Sequence, residues 1–431
     1  MAAYDSTNIQ LPADLFALTA HPSAPLLTAA LSSGHVYTYT WPRSSSSSTS
    51  DGDDDDDEAT TFSPSKPAPS IVWKTRRHKG SCRSAVFSAD GGVLYTTGTD
   101  GLLKAATSET GRVVSKAVLP NPSSDAPTTL LPLSPMHLLL GTDAGNVHLY
   151  DLRTQADFAG AAPAASWKAV HEDYISALLA LPATAASTTG YSRQFVVSGD
   201  TSLSHLDARR PGKVLSRSEP QEDEILNMIY VANAPSKNTG GSEKVVTGTA
   251  SGVVTTWNKG FWEDHQERIP LSRATSDSID SLLALPVGYQ VEGVGYGTFF
   301  AAGSGDGKVR IVKMGGNKTV ATMAHSGLEE GVSALALDCE GRIVSGGGTV
   351  IKIWSPREEE EQQAEAEEEE SKKRGKESDS DDDGSDRDEV DSEDSDDERE
   401  RKKRKKKKRK GGKGKAKSAG VKNVNSFEGL D

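Results

Sequence analysis

Apolar residues along this chain gather into short runs, and each run gives way to a polar turn before a second apolar run follows. The pattern returns seven times, over 26–41, 93–107, 138–151, 195–209, 244–258, 299–313 and 342–354. Inside each copy Val, Ile, Leu, Tyr, Phe and Thr dominate, and Gly, Asp and Ser fill the turn. Two β-rich runs around a glycine-bearing turn predict a β-hairpin. The turn glycines Gly34, Gly101, Gly145, Gly252 and Gly307 set the phase, with Thr201 and Gly348 at the same place in the two degenerate copies. In the second copy Ser84–Phe87 precedes the hairpin as a further strand, separated from it by the polar turn Ser88-Ala89-Asp90-Gly91-Gly92. Each copy therefore reads as part of a four-stranded antiparallel sheet.

A unit of about 40–45 residues carrying insertions between repeats is the signature of a propeller of WD-repeat type. Seven inner hairpins predict a seven-bladed, all-β WD-repeat β-propeller over residues 8–355. FSADGGVLYTTGTDG (87–101) follows the usual WD-repeat phrase, but most copies have lost the terminal Trp-Asp. What remains is Tyr150-Asp151, Leu206-Asp207, Trp257-Asn258 and Trp354-Ser355. In such folds that terminal Asp, a His and a Ser or Thr form a buried network inside the blade, so its loss weakens a staple without changing the architecture. His78, His171 and His325 each precede a strand at the place of that His and are assigned a structural role. The last copy stops at Trp354 with no outer strand, and an open strand edge invites mispairing. The segment Asn8–Leu11 is the natural closing strand. The Ser-, Asp- and Pro-rich stretch 43–70 reads as a disordered insertion. Smaller Ala/Pro/Ser insertions at 155–166, 183–193 and 234–243 are expected outside the ring.

The formal charge of −13 conceals a polarity. Residues 358–400 hold 24 acids against 6 bases, and residues 401–422 hold 14 bases and no acid. Like-charge blocks of this length cannot bury a core, so 356–431 reads as a disordered tail, acidic then basic. Cys82 and Cys339 are too few for a disulfide framework and are expected as small buried apolar residues. No apolar run reaches membrane-spanning length, and the N-terminus lacks a basic region followed by an apolar stretch. The expectation is a soluble intracellular protein, monomeric by itself, with no membrane contact.

Catalytic motifs are absent from the sequence: no phosphate-cradling glycine loop followed by Lys-Ser/Thr, no Gly-x-Ser-x-Gly elbow, no paired CxxC and no HExxH. The chain reads as a non-enzyme without cofactor or metal, and four features carry its candidate chemistry. Lys74, Arg76, Arg77, Lys79 and Arg83 crowd one loop, a candidate patch for RNA phosphate or an acidic peptide. Asp151-Leu152-Arg153 and Asp207-Ala208-Arg209 repeat an Asp-x-Arg box at the ends of consecutive copies. That box resembles the one by which some WD-repeat proteins dock onto the adaptor of cullin ubiquitin ligases, so a substrate receptor is the alternative function. Arg401, Lys402, Lys403, Arg404, Lys405, Lys406, Lys407, Lys408, Arg409 and Lys410 form an unbroken basic run, a nuclear or nucleolar import signal and an arm for RNA. Ser378, Ser380, Ser385 and Ser395 each have an acid three positions on, the pattern of acidophilic kinases.

TRRHKGSCR (75–83), HEDYISALLAL (171–181), NKGFWEDHQERI (258–269) and DSIDSLLALP (277–286) resemble the nucleolar WD-repeat proteins required for ribosome production in fungi and animals. DLFALTAHPSAPLLTAALSSGHV (14–36), the acidic-then-basic tail and the closing SFEGLD (426–431) are similar to its fungal branch. The resemblance implies a non-enzymatic nucleolar scaffold in ribosomal RNA production or large-subunit assembly. Its partners would be proteins of the pre-ribosome, with RNA contact through the basic tail. The insertion at 43–70 and the lost turn glycine at Thr201-Ser202 depart from the pattern and bear on the geometry of the fourth blade.

Overall fold

Each of the seven phrases forms the second and third strands of a four-stranded antiparallel sheet. The computed structural model describes residues 4–41, 68–153, 162–185, 187–235, 242–272, 276–326 and 330–356. The chain divides into one unit over Met1–Gln362 and a second over Gln363–Asp431. The second unit lies outside the described residues, as do most of the 43–70 insertion and the acidic and basic blocks. Among the described residues every regular element is a strand, arranged as seven four-stranded sheets and one two-stranded hairpin. They form a seven-bladed propeller. The hairpin, Gln290–Val291 with Gly295–Tyr296, is inserted between the first and second strands of blade six.

The second strands explain why isolated blades cannot exist. Leu26–Leu31, Val93–Gly98, His137–Thr142, Gln194–Gly199 and Phe299–Ser304 are buried at nearly every position rather than at alternate ones. Both faces of such a strand are covered, so its sequence is a continuous small-apolar run. The outermost strands behave oppositely: Val113–Val118 alternates exposed and buried because only one face meets the neighbouring blade. Accordingly the core is divided into seven clusters, one at each interface between blades. Tyr95 and Leu103 of blade two meet Leu138 and Tyr150 of blade three, and Val246 of blade five meets Phe300 of blade six. Around the axis, inner-strand hydroxyls donate to the next blade's backbone: Thr128 Oγ1 to Ile175 O (2.7 Å), Ser176 Oγ to Ile225 O (2.6 Å) and Ser281 Oγ to Val332 O (2.8 Å).

The ring closes through the N-terminus, with a longer strand than Asn8–Leu11. Tyr4–Gln10 pairs antiparallel with Val350–Pro356, from Tyr4↔Pro356 to Gln10↔Val350, and supplies the fourth strand of blade seven. Leu11 lies just beyond the strand, where its N–H donates to Thr349 O at 2.8 Å. Ile9 and Leu11 are buried in the cluster joining blades seven and one.

The turn glycines tie one blade to the next. Gly34 has φ +77°, and a Cβ there would stand 2.2 Å from Gly80 O and 2.3 Å from His78 O. Its carbonyl accepts from the N–H groups of Arg77 and His78, at 2.8 and 3.0 Å. His78 then reaches into blade two, with Nδ1 2.8 Å from Asp100 Oδ1 and Nε2 3.1 Å from Thr96 Oγ1. His171 and His325 repeat the hook, placing Nδ1 3.2 Å from Ser202 Oγ and 2.8 Å from Ser345 Oγ. In the last blade Trp354 Nε1 donates to the same Ser345 Oγ at 2.7 Å. One expectation changes here. The network carboxylate is the turn residue Asp100, because the turn faces the loop that carries the His. The repeat-terminal Asp151 and Asp207 take no part in it.

Three other readings are corrected. Blade four has the same four strands as its neighbours despite Thr201-Ser202, because its turn is shorter and Asp200 takes the left-handed conformation at φ 52°. Short polar side chains tolerate that region. The 155–166 insertion ends within the blade, since Ala165–Trp167 is the outer strand of blade three. Cys82 is buried, whereas Cys339 is only partly buried in a polar turn.

Two predictions follow from closure and from the buried imidazoles. Removing residues 1–12 strips the last blade's outer strand and two buried aliphatic side chains, each contributing about 1.5–3 kcal/mol. Calorimetry should show a melting temperature lower by at least about 10 °C; an unchanged melt would refute closure by this strand. Burial holds His171 and His325 at about 4, so both are neutral when folded. Unfolded histidine titrates near 6.5, so below that pH the unfolded chain binds more protons. Stability should therefore be full above about pH 6.5 and fall toward pH 4, by about 3 kcal/mol for each His. His325→Asn should flatten the decline in melting temperature with pH, and an equally steep decline would reject this assignment.

Candidate interaction surfaces

The strands alternate in direction, so turns joining strands two and three share one end of the ring with the links to the following blade. The basic loop at 74–83 lies at that end, between the outer strand Ser70–Arg76 and the next inner strand Cys82–Phe87. Its five bases do not act together. Arg77 is only 3% exposed, stacks over Trp73 with its guanidinium carbon 5.6 Å from the ring centroid, and donates from Nη2 to Gly111 O at 2.8 Å. Burial lowers its pKa. Arg83 donates from Nη1 to both oxygens of Asp143, at 2.7 and 2.8 Å. Lys74, Arg76 and Lys79 are exposed. The proposed patch therefore shrinks to three residues, because Arg77 serves the seam between blades one and two and Arg83 is ion-paired.

Trp73 belongs to the same seam. Its Nε1 donates to Ser108 O of blade two at 2.7 Å, and Trp167 Nε1 of blade three donates to Arg210 O of blade four at 3.2 Å. The two Trp-Lys pairs, 73–74 and 167–168, were the sequence signal of this repeated staple.

The Asp-x-Arg boxes lie at the opposite end, on the turns that follow the third strands of blades three and four. Both boxes fold into the same fork. Arg153 donates from its backbone N (2.9 Å) and Nε (3.0 Å) to Asp151 Oδ1, and from Nη2 (2.6 Å) to Oδ2. Arg209 makes the equivalent bonds to Asp207 at 2.9, 3.0 and 2.6 Å. Register explains the identity: Asp151 lies opposite His137, and Asp207 opposite Gln194, each facing the first residue of its blade's second strand. The Arg153 hydrogen bond holds the Asp151 carboxyl down at about 2, and Arg209 lowers Asp207 likewise. The carboxylates are turned inward, with side chains 14% and 3% exposed, while the guanidinium side chains are 58% and 60% exposed.

A cleft of about 300 Å³ runs between these blades, and both Arg153 and Arg209 line it. Leu133, Pro135, Met136, Leu149 and Ala208 give it an apolar floor, and Tyr191 and Arg193 come from the loop over 181–193. A second cavity of about 190 Å³ adjoins it and shares Thr189, Tyr191, Ser192, Arg193 and Arg209. His137 is also at the rim, and burial lowers its pKa, which leaves it neutral near pH 7. The sequence paired the two boxes but missed Met136, Tyr191 and Arg193. The unusual Tyr-Ser-Arg closing an Ala/Ser/Thr insertion was a signal for Tyr191 and Arg193, and Met136 had none.

Arg401–Lys410 and Ser378, Ser380, Ser385 and Ser395 lie outside the described residues. Among the described residues, no group of three or more His, Cys, Asp or Glu side chains is placed to hold a metal ion.

Comparisons with known proteins agree with the propeller fold. No protein-family model matches the chain. It is 43% identical over 354 residues to WD repeat-containing protein jip5 of Emericella nidulans, covering 80% of this chain and 83% of that one. The jip5 of Botryotinia fuckeliana and the JIP5 of Phaeosphaeria nodorum are each 42% identical, covering 81% of both chains. Among solved structures, the WD40 β-propeller domain of Doa1 superposes with a TM-score of 0.57 at 9% identity, over 83% of this chain and 99% of that one. At that identity the likeness concerns the fold.

Proposed function

Because this chain belongs to the JIP5 family of fungal WD repeat-containing proteins, we propose that it is a non-enzymatic protein-interaction scaffold of nucleolar ribosome production. The observation that carries this reading is the charge-segregated tail attached to a propeller. Ten consecutive bases, Arg401–Lys410, follow a block of 24 acids and 6 bases. A propeller supplies rigid rims for protein partners and fixes no chemistry by itself. A lysine-arginine run neutralises RNA phosphates and releases their counterions, which makes its binding steeply salt-dependent. Such a run suits a compartment crowded with precursor ribosomal RNA, and it doubles as an import signal.

The Asp-x-Arg forks favour a second reading, docking onto a cullin ligase adaptor. Two boxes of one geometry stand on neighbouring blades, with their guanidiniums facing solvent. Acidic kinase sites at Ser378, Ser380, Ser385 and Ser395 fit either reading, since phosphorylation would deepen the negative block.

Three measurements test these readings. Deleting 401–417 should disperse the protein from the nucleolus and let unprocessed precursor rRNA accumulate; unchanged location and processing would sink the scaffold reading. Removing 358–400 should raise affinity for single-stranded RNA at least severalfold in low salt, with a slope of log K against log salt up to about −7 for ten bases. Equal affinity would dismiss the idea that the acids restrain the basic run. Arg153→Ala with Arg209→Ala should abolish co-purification of a ligase adaptor if the second reading holds; an adaptor retained by the double variant, or absent from the parent protein, rejects it.

A further inference from the structure

The cleft between blades three and four combines features that the fold does not need. The unit's seven cores lie between its sheets, yet Met136 and Tyr191 stand 48% and 45% exposed at this rim. Three arginines, Arg153, Arg193 and Arg209, surround them. Two of these are held in place before any ligand arrives, because Nε and Nη2 are already bonded to the chain's own aspartates. Holding a long side chain in one rotamer removes part of the ordering cost of binding. The outward guanidinium edges keep further donors for an anion, and guanidinium matches carboxylate and phosphate geometry. The adjoining cavity adds Ser187, Thr188, Thr189 and Ser192 hydroxyls next to Arg193 and Arg209. One compartment is thus apolar and its neighbour is polar and cationic.

We infer that this cleft binds a linear segment of a partner protein in which one apolar side chain is flanked by anionic side chains. Leu, Met or Phe would fill the floor formed by Leu133, Met136 and Leu149, since a cleft of about 300 Å³ accommodates a single such group. The anionic residue would reach the Arg193–Arg209 side. Charge complementarity selects this occupant. The two aspartates are turned inward, so an approaching chain meets guanidinium first. The anion is either a carboxylate or a phosphoseryl group, because both suit the same donors. The inference rests on the scaffold reading in that it names the chemistry of a protein partner, but it requires neither nucleolar location nor a ligase adaptor.

The test uses the full chain and fluorescein-labelled synthetic peptides carrying one Leu, Met or Phe flanked by Glu, by phosphoserine or by Lys at varied spacing. Anisotropy should show binding by Glu or phosphoserine peptides, whichever source of the anion is correct, and none by Lys peptides. Arg193→Glu should weaken that binding at least tenfold and confer binding on the Lys peptides. Tyr191→Ala should weaken it at least tenfold irrespective of salt, whereas the contribution of Arg193 should shrink as salt rises. Both changed positions are exposed, and unchanged melting temperatures would certify the fold. Failure of every anionic peptide to bind, equal binding by Lys peptides, or indifference to Arg193→Glu would each overturn the inference. None of those outcomes bears on tail-dependent location or rRNA processing, so the two proposals fail separately.

Discussion

Each sheet in this propeller buries its second strand on both faces, and that requirement governs the rest. A strand such as Phe299–Ser304, buried at every position, has no solvent-tolerant side. It needs a blade on its left and another on its right, so no blade is stable at the end of a row. Ring closure is then a condition of folding rather than an ornament. It explains why Tyr4–Gln10 travels to the last blade instead of starting the first. Chain ends meeting in one sheet convert a linear set of repeats into a closed one, and the edge problem of β proteins disappears with them.

The seam interactions follow from the same demand. Adjacent blades must hold a fixed angle if their facing clusters are to interdigitate. The glycine turn supplies a carbonyl to the incoming loop, and that loop's His reaches the next blade. Where the His is missing the task passes to other groups. Asp125 accepts from Ala144 N and Asn146 Nδ2 at the seam between blades two and three. The degenerate Trp-Asp ends are tolerable for this reason. Seams are redundant, and interblade burial does most of the stabilising.

The sequence was legible where one residue type answers to one constraint. Turn glycines, the hairpin period and the small-apolar second strands marked seven blades, and the unsatisfied edge after Trp354 called for an N-terminal strand. Boundaries were less legible, because Ala165–Trp167 is a three-residue outer strand inside a stretch of insertion-like composition. The basic loop misled because charge is read from sequence but burial is not. Arg77 looks like any other base in TRRHKGSCR, yet its neighbour Trp73 and the carbonyl of Gly111, far along the chain, absorb it. The cleft was illegible for a related reason. Arg193 and Arg209 meet across blade four's own strand pair, where Gln194 lies opposite Asp207, and only the packing of blade three on blade four brings Arg153 to them.

The forks show where folding and function part. A buried carboxylate such as Asp207 carries a desolvation cost, which its backbone and guanidinium bonds offset. Stability alone does not call for an Asp-Arg pair at that position, since Thr107, Asn258 and Lys313 stand at the equivalent third-strand ends of other blades without this motif. The Asp instead fixes an arginine whose own side chain remains mostly in solvent and adds little to folding, since exposed ion pairs contribute about 0–1 kcal/mol. What the pair supplies is position. A guanidinium held at the mouth of an apolar cleft is a poor stabiliser and a good receptor, and its repetition on two neighbouring blades sets the spacing that any occupant must match.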